Sequence, residues 1–188
     1  GQDRVTVDVL VKPGKSPSTF SPSPGQMKKL ISSDLYFRIG VPFENGILQR
    51  IESIARVKVI DTRHGIVFRR MDVHYHDEID LDPVAKTKDH HDSKGHDPHI
   101  WMNPVIVKTQ AHIIFQTLSY IDPDGIDEYK INYKLFIDDL DILNDRITTT
   151  LKGLKGEKLF VFHPSFGYFT DAYGLKQVAV ETMGKAPK

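Results

Sequence analysis

The sequence predicts an α/β protein: a lobe with a parallel sheet and flanking helices, a long linking helix, and an incomplete second α/β lobe. Three observations support this fold class. Strand-like and helix-like segments alternate at the start of the chain, as is typical of βαβ units. Apolar residues then recur at three- and four-residue steps over residues 124–154, as in one amphipathic helix. Residues 155–188 return to apolar, strand-like runs.

The first lobe is predicted over residues 1–122. Residues 4–11 (RVTVDVLV) alternate and are rich in β-branched side chains, which favours a strand. A loop rich in Pro and Ser follows, and the next helix is predicted to begin near Pro24. The pattern then alternates between strand and helix, with LYFRIG (35–40) as a strand, PFENGILQRIESI (42–54) as a helix and VKVID (57–61) as a strand.

The second half of the chain is dominated by helical patterns. Residues 67–98 come first and are polar, acidic and His-rich, which predicts an irregular loop within the first lobe. Asn103 and Pro104 are predicted to cap and begin a helix. Residues 123–154 are predicted as an interdomain helix roughly 45 Å long, and residues 155–188 as the start of the second lobe.

Composition excludes several classes of protein. The 25 basic and 25 acidic residues balance, whereas a nucleic-acid binder usually carries a basic excess. No apolar run is long enough to cross a bilayer. The chain has no cysteine, which excludes disulfides, thiolate metal sites and a cysteine nucleophile. It also lacks a P-loop, a dinucleotide-binding glycine motif and an H-E-x-x-H motif.

Two single histidines stand where chemistry is expected. His163 follows the apolar run LFVF, and ligands of open α/β sheets bind at the carboxyl ends of strands. His99 lies in GHDPHIWMNP, where Asp97 could accept the second ring N–H and fix the ring's tautomer. The alternatives are a hydrogen bond within its own loop for His163, and packing beneath Trp101 for His99.

Five further histidines lie in or near the irregular loop, among many aspartates: His74, His76, His90, His91 and His96. Imidazole suits zinc, copper, nickel and iron, and His-rich tracts commonly bind metal. Because ordering such a segment costs conformational entropy, the cluster predicts weak, multivalent capture. The alternative is a solvated polar loop.

Several segments together resemble a known family, the cluster A-I solute-binding proteins of zinc and manganese ABC transporters. The matching stretches occur in the family's order and are VTVDVLVKPGKSPSTFSPSPGQMKKL, DLYFRIGVPFE, the His-rich loop, DPHIWMNP and FVFHPSFGYFTDAYGLKQVAVETMGKAP. The resemblance implies a two-lobed α/β receptor with one long connecting helix and metal in the cleft between lobes. It also implies a periplasmic or extracellular location, a possible membrane anchor, and a membrane permease as partner.

The resemblance implies that His99, in DPHxW, and His163, in F-H-P, are metal ligands, with Asp97 supporting His99. The family's first histidine falls in a P-G-x-S-P-H-x-Y pattern, but here Ser18 stands in its place. A serine hydroxyl is a much poorer zinc ligand than imidazole. The family's fourth ligand, a carboxylate, lies beyond the end of this sequence, and its opening strand and helix are absent. The match is therefore truncated at both ends and keeps two of four expected ligands.

Three hypotheses follow from this departure. In the first, the chain is a truncated metal receptor whose site is weakened at Ser18. In the second, a loop histidine such as His96, or a second chain, completes the site. In the third, the cleft no longer binds metal and the chain has another role. Exposed edges of an incomplete lobe favour a homodimer. Zinc is favoured over manganese, which prefers oxygen ligands. We expect a zinc-binding protein that is not an enzyme; the alternatives are a zinc-dependent hydrolase using His99 and His163, or a surface adhesion protein with incidental metal binding.

Overall fold

The computed structural model describes residues 2–17, 19–52, 56–71 and 95–180. The helices are α1 (Pro24–Ile31), α2 (Glu44–Glu52), α3 (Pro104–Ile121), α4 (Ile126–Leu151) and α5 (Gly167–Tyr173). The strands are β1 (Leu35–Arg38), β2 (Lys58–Asp61), β3 (Lys158–Val161) and β4 (Lys176–Ala179). Short 3-10 helices form at Gln2–Arg4, Ile100–Met102, Pro123–Gly125 and Lys152–Leu154.

The chain packs into two units. The first unit comprises Gly1–Ile66 and Pro104–Asp145, and the second comprises Val67–Asn103 and Arg146–Lys188. The boundary after Asp145 falls inside α4, so this helix belongs to both units. The predicted division of the chain at residues 122 and 154 stays a prediction.

The first unit contains a parallel pair of strands, β1 and β2, in register from Leu35 opposite Lys58 to Arg38 opposite Asp61. Its core is a small apolar cluster from α1, α2 and the residue before β2, formed by Leu30, Ile47, Ile51 and Val57. Parallel strands need a crossover connection, and α2 supplies it. The predicted α/β class with parallel strands is confirmed.

Helix α1 begins at Pro24, as predicted, because Ser23 caps it. The Ser23 hydroxyl accepts the Gln26 backbone N–H at 3.3 Å, and the Gln26 side chain accepts the Ser23 N–H at 3.0 Å. This reciprocal capping box satisfies two N–H groups that a helix start leaves unpaired. The Gln26 side chain also donates to the Leu10 carbonyl at 2.7 Å, which attaches the preceding segment to the helix.

The strand predicted over residues 4–11 is wrong. The segment contains only the end of the Gln2–Arg4 3-10 helix and irregular backbone. Val7 and Val9 are 79% and 62% exposed. In the described residues β1 pairs only with β2, and an extended segment without a partner strand has no ladder to stabilise it.

The second unit contains the other parallel pair, β3 and β4, aligned from Lys158 opposite Lys176 to Val161 opposite Ala179. Helix α5 connects them and ends at Gly174, whose φ of 73° lies in the left-handed region that favours glycine. The strands match the runs KLFVFHPS and LKQVAVE, whereas α5 was not predicted. The turn between β3 and α5 carries His163.

Candidate metal site

The second unit brings His99 and His163 together. Their ring centroids lie 5.2 Å apart, with an angle of 78° between the ring planes. His163 follows β3 by two residues and is half-buried. Its carbonyl accepts the Ser165 N–H at 2.8 Å, and Gln177 of β4 accepts the Phe166 N–H at 2.7 Å. These bonds hold the turn at the carboxyl end of β3.

His99 precedes the Ile100–Met102 3-10 helix, and its neighbours fix this short segment. Ile100 is fully buried and anchors the backbone. The ring of Trp101 meets the His99 ring edge-on, with centroids 5.3 Å apart. The His99 side chain is 12% exposed. Most of the ring is therefore covered, and its position is constrained from several sides.

Asp97 is the polar partner of His99. Its side chain is fully buried, and Oδ1 lies 2.7 Å from His99 Nδ1 and accepts the His99 backbone N–H at 3.0 Å. Burial by itself raises the pKa of a carboxyl group, but hydrogen bonds from His99 and Arg69 outweigh it and lower the pKa of Asp97. Asp97 is therefore ionised near neutral pH.

Arg69 occupies the other side of the Asp97 carboxylate. Its Nη1 donates to Asp97 Oδ2 at 3.0 Å, and its Nε donates to Asp171 Oδ2 at 2.9 Å. The backbones are also joined, because the Asp97 N–H donates to the Arg69 carbonyl at 3.0 Å. The Tyr168 hydroxyl accepts the Arg69 N–H and donates to the Asp97 carbonyl, each at 3.1 Å.

Gly167, the first residue of α5, leaves room for this arrangement. A β-carbon at this position would overlap the Arg69 guanidinium and stand 2.6 Å from Asp97 Oδ2. The arginine and the carboxylate therefore lie directly against the backbone at the start of α5. Any side chain at residue 167 would displace one of them.

Of the other predicted metal-binding residues, the structure describes only His96. His96 is exposed, pairs with Arg70 in an antiparallel bridge and stacks on Phe68 with centroids 5.3 Å apart. Ser18 lies outside the described residues, and so do four of the loop histidines: His74, His76, His90 and His91. Within the described ranges, no group of three or more histidine or acidic residues is arranged to hold a metal ion.

Arg69, Gly167, Tyr168 and Asp171 were not singled out from the sequence. Arg69 and Asp97 lie 28 residues apart in the sequence, so only the fold shows that they pair. Gly167 and Tyr168 lie within the FGYF stretch that contributed to the family resemblance. That motif indicated the family but did not predict the contact with Arg69.

The fold and the site are those of an α/β binding protein. It has short parallel sheets, a long helix and a pair of histidines, one of which follows a strand. The family described as ZnuA, zinc-uptake complex component A, periplasmic, matches residues 1–187. The chain belongs to this family. In the part of the chain that the structure describes, no helix combines the length and the apolar character needed to cross a membrane.

Known proteins show how much of a whole family member the chain covers. It is 28% identical over 182 residues to the high-affinity zinc uptake system protein ZnuA of Yersinia pestis, covering 89% of this chain and 56% of that protein. It is 28% identical to the zinc-binding protein AdcA of Streptococcus pyogenes serotype M3, covering 93% and 35%. A crystal structure of ZnuA matches with 34% identity and a TM-score of 0.83, covering 100% and 66%.

A second crystal structure, of a zinc-bound ZnuA deletion mutant, matches with 34% identity and a TM-score of 0.80 over 98% of this chain and 64% of that one. The chain thus spans about half to two thirds of the ZnuA proteins it matches. The solute-binding fold expected from the sequence resemblance is confirmed.

Proposed function

We propose that this chain captures zinc as part of an extracytoplasmic solute-binding protein of an ABC importer. Membership in the ZnuA family supports the transport role. The relatives from Yersinia pestis and Streptococcus pyogenes carry names for zinc uptake and zinc binding, and one matching ZnuA structure contains zinc. Zinc is the cargo in this proposal, and the protein's task is to bind it reversibly.

The observation that carries the proposal is the spacing of the His99 and His163 rings. At a Zn–N distance of about 2.0–2.1 Å and tetrahedral angles, the centroids of two imidazoles on one zinc ion lie roughly 5 Å apart. The observed separation of 5.2 Å matches this value. Both residues belong to the second unit.

The surroundings of His99 also favour zinc. Asp97 faces one ring nitrogen at 2.7 Å, an arrangement common for metal-ligating histidines because it directs the other nitrogen to the metal. Imidazole ligands suit zinc, whereas manganese prefers carboxylate and other oxygen ligands. We therefore propose His99 and His163 as zinc ligands, with Asp97 as the group that orients His99.

Two imidazoles fill half of a tetrahedral site. We propose that water or a histidine of the loop occupies the remaining positions, since the family's first histidine is replaced by Ser18. We propose weak zinc capture by the histidines of that loop, which are His74, His76, His90, His91 and His96. A site of this kind binds more weakly than a full set of protein ligands.

The proposed partner is the membrane permease of the importer, and the proposed location is the periplasm or the cell surface, with a membrane anchor in the latter case. The family's description as a periplasmic component supports the first location. Association of two copies of the chain remains a prediction. Catalysis is not part of the proposal, because membership in the ZnuA family supports a transport role.

Calorimetric zinc titration tests the proposal. We expect His99→Ala and His163→Ala each to weaken the tightest binding step at least about tenfold, equal to about 1.4 kcal/mol. His64→Ala, which removes an exposed histidine of the first unit, serves as the matched control and should bind as the parent does. Unchanged zinc binding in the variant that carries both substitutions would contradict the proposal that His99 and His163 form a zinc site.

The same variants separate the alternatives. Hydrolysis of simple esters or phosphate esters that disappears with His99→Ala would support an enzyme. Thermal stability that responds to neither zinc nor chelator would support a role in adhesion with incidental metal, because a bound ligand raises the apparent stability of the folded state.

A further inference from the structure

We propose that Arg69 is a positioning residue for the metal ligand His99 and acts through the buried carboxylate of Asp97. This inference rests on the proposed function, since it concerns how His99 is presented to a metal ion. Arg69 itself is not proposed as a metal ligand. Arg69 holds the Asp97 carboxylate in place, and that carboxylate orients His99.

The buried carboxylate of Asp97 depends on Arg69 for its charge balance. Its side chain is fully buried, and Oδ1 is committed to the backbone N–H and the Nδ1 atom of His99. The guanidinium of Arg69 donates to the other oxygen, Oδ2, at 3.0 Å. A buried carboxylate that loses its cationic partner is strongly destabilised. Without Arg69, Asp97 would therefore turn toward water or leave its place.

The Asp97 carboxylate in turn determines which nitrogen of the His99 ring carries the hydrogen. An ionised carboxylate can only accept hydrogen bonds, so the ring nitrogen facing it, Nδ1, carries the hydrogen. Nε2 then keeps its lone pair, which is the form that binds a metal ion. If Asp97 turns away, the hydrogen is no longer held at Nδ1, and part of the population places it on Nε2. That part cannot bind zinc through Nε2 until the hydrogen moves.

The geometry of the guanidinium favours arginine at residue 69. One planar group reaches two carboxylates, with Nη1 on Asp97 at 3.0 Å and Nε on Asp171 at 2.9 Å. The Arg69 backbone is tied to Tyr168 and Asp97, so the guanidinium has a rigid base. Lysine offers a single charged nitrogen and cannot hold both carboxylates in this fixed geometry.

The test reads the His99 tautomer directly, without metal. Protein labelled with 15N in histidine is studied by long-range 1H–15N correlation at about pH 8, above the ordinary pKa of histidine. We expect the parent to show His99 with its hydrogen on Nδ1, and Arg69→Met to show a mixture with the Nε2 form. Zinc affinity should fall about 10- to 100-fold. Arg69→Lys should recover the tautomer only in part.

Arg70→Met is the matched control, because Arg70 is the exposed neighbour; it should leave both tautomer and affinity unchanged. An unaltered His99 tautomer in folded Arg69→Met would overturn the proposal. If Arg69→Met does not fold, Arg69→Lys decides: a partly shifted tautomer supports the proposal and an unchanged one overturns it. A shifted tautomer with unchanged zinc affinity would overturn His99 as a zinc ligand and leave the link from Arg69 to the ring standing.

Discussion

The guanidinium of Arg69 lies against the α-carbon of Gly167, so close that a β-carbon there would overlap it. The carboxylate of Asp97 lies at the same place, because its Oδ2 accepts a hydrogen bond from the guanidinium and would stand 2.6 Å from that β-carbon. The candidate metal site thus depends on the absence of a side chain at residue 167. The effect of this contact on stability can be measured by substituting Gly167 and comparing it with Gly46, a glycine of α2.

Gly167→Ala should destabilise the protein by about 1–3 kcal/mol, because the added methyl group forces Arg69 or Asp97 out of place. The matched control is Gly46→Ala in α2, where a β-carbon would meet nothing within 4 Å. That change should stabilise the protein by up to about 1 kcal/mol, through helix propensity. Urea unfolding followed by circular dichroism measures both. Equal effects of the two substitutions would refute the close contact at Gly167.

The Arg4–Asp122 pair in the first unit should make stability depend on acid pH. Two hydrogen bonds from Arg4, at 2.6 and 2.7 Å, and one from the Tyr129 hydroxyl lower the pKa of Asp122 to about 2. A carboxyl group with a lowered pKa in the folded state stabilises the protein above its unfolded pKa of about 4. That contribution is lost as the pH falls through about 2.

We therefore expect the free energy of unfolding to fall more steeply between about pH 4 and pH 2 in the parent than in Asp122→Asn. Urea midpoints measured across this range check the difference. Asp139→Asn, at an exposed position within α4, controls for the loss of one negative charge. Parallel pH profiles for the parent and Asp122→Asn would contradict the role of the pair.

Ser18→His should increase zinc affinity, because the family resemblance assigns a histidine ligand to this position and imidazole binds zinc far better than a hydroxyl. We expect a gain of at least about tenfold, or about 1.4 kcal/mol, measured by competition with a chelator of known affinity. Thr19→His places the same side chain one residue further along and should give little gain. Equal gains from both substitutions would show only that an added histidine helps.

The sequence was sufficient for the elements whose signals are local. The Pro24 start of α1, the Pro104 start of α3 and the long apolar repeat of α4 each depend on caps or spacing within one segment. Helix α5 was missed because GYFTDAY is short and aromatic, with a glycine at its start. Such a sequence has weak helix propensity, and burial of Tyr168 and Thr170 holds it in place.

The candidate site was predictable only in part, for the same physical reason. His99 and Asp97 are two residues apart, so their pairing could be proposed from the sequence. Arg69 contacts Asp97, which lies 28 residues further along the chain, and no local sequence pattern predicts that contact. The residues 4–11 show the opposite error, because their alternation predicts a strand but no partner strand lies beside them in the described chain.

The most direct test of the central claim is to observe the histidine nitrogens as zinc is added. Protein labelled with 15N in histidine is titrated to one equivalent of zinc near pH 7.5, about one unit above the ordinary pKa of histidine. We predict that the Nε2 resonance of His99 and one ring-nitrogen resonance of His163 shift to metal-bound values together. Zinc that shifts only the loop histidines, with His99 and His163 unchanged, would contradict the account.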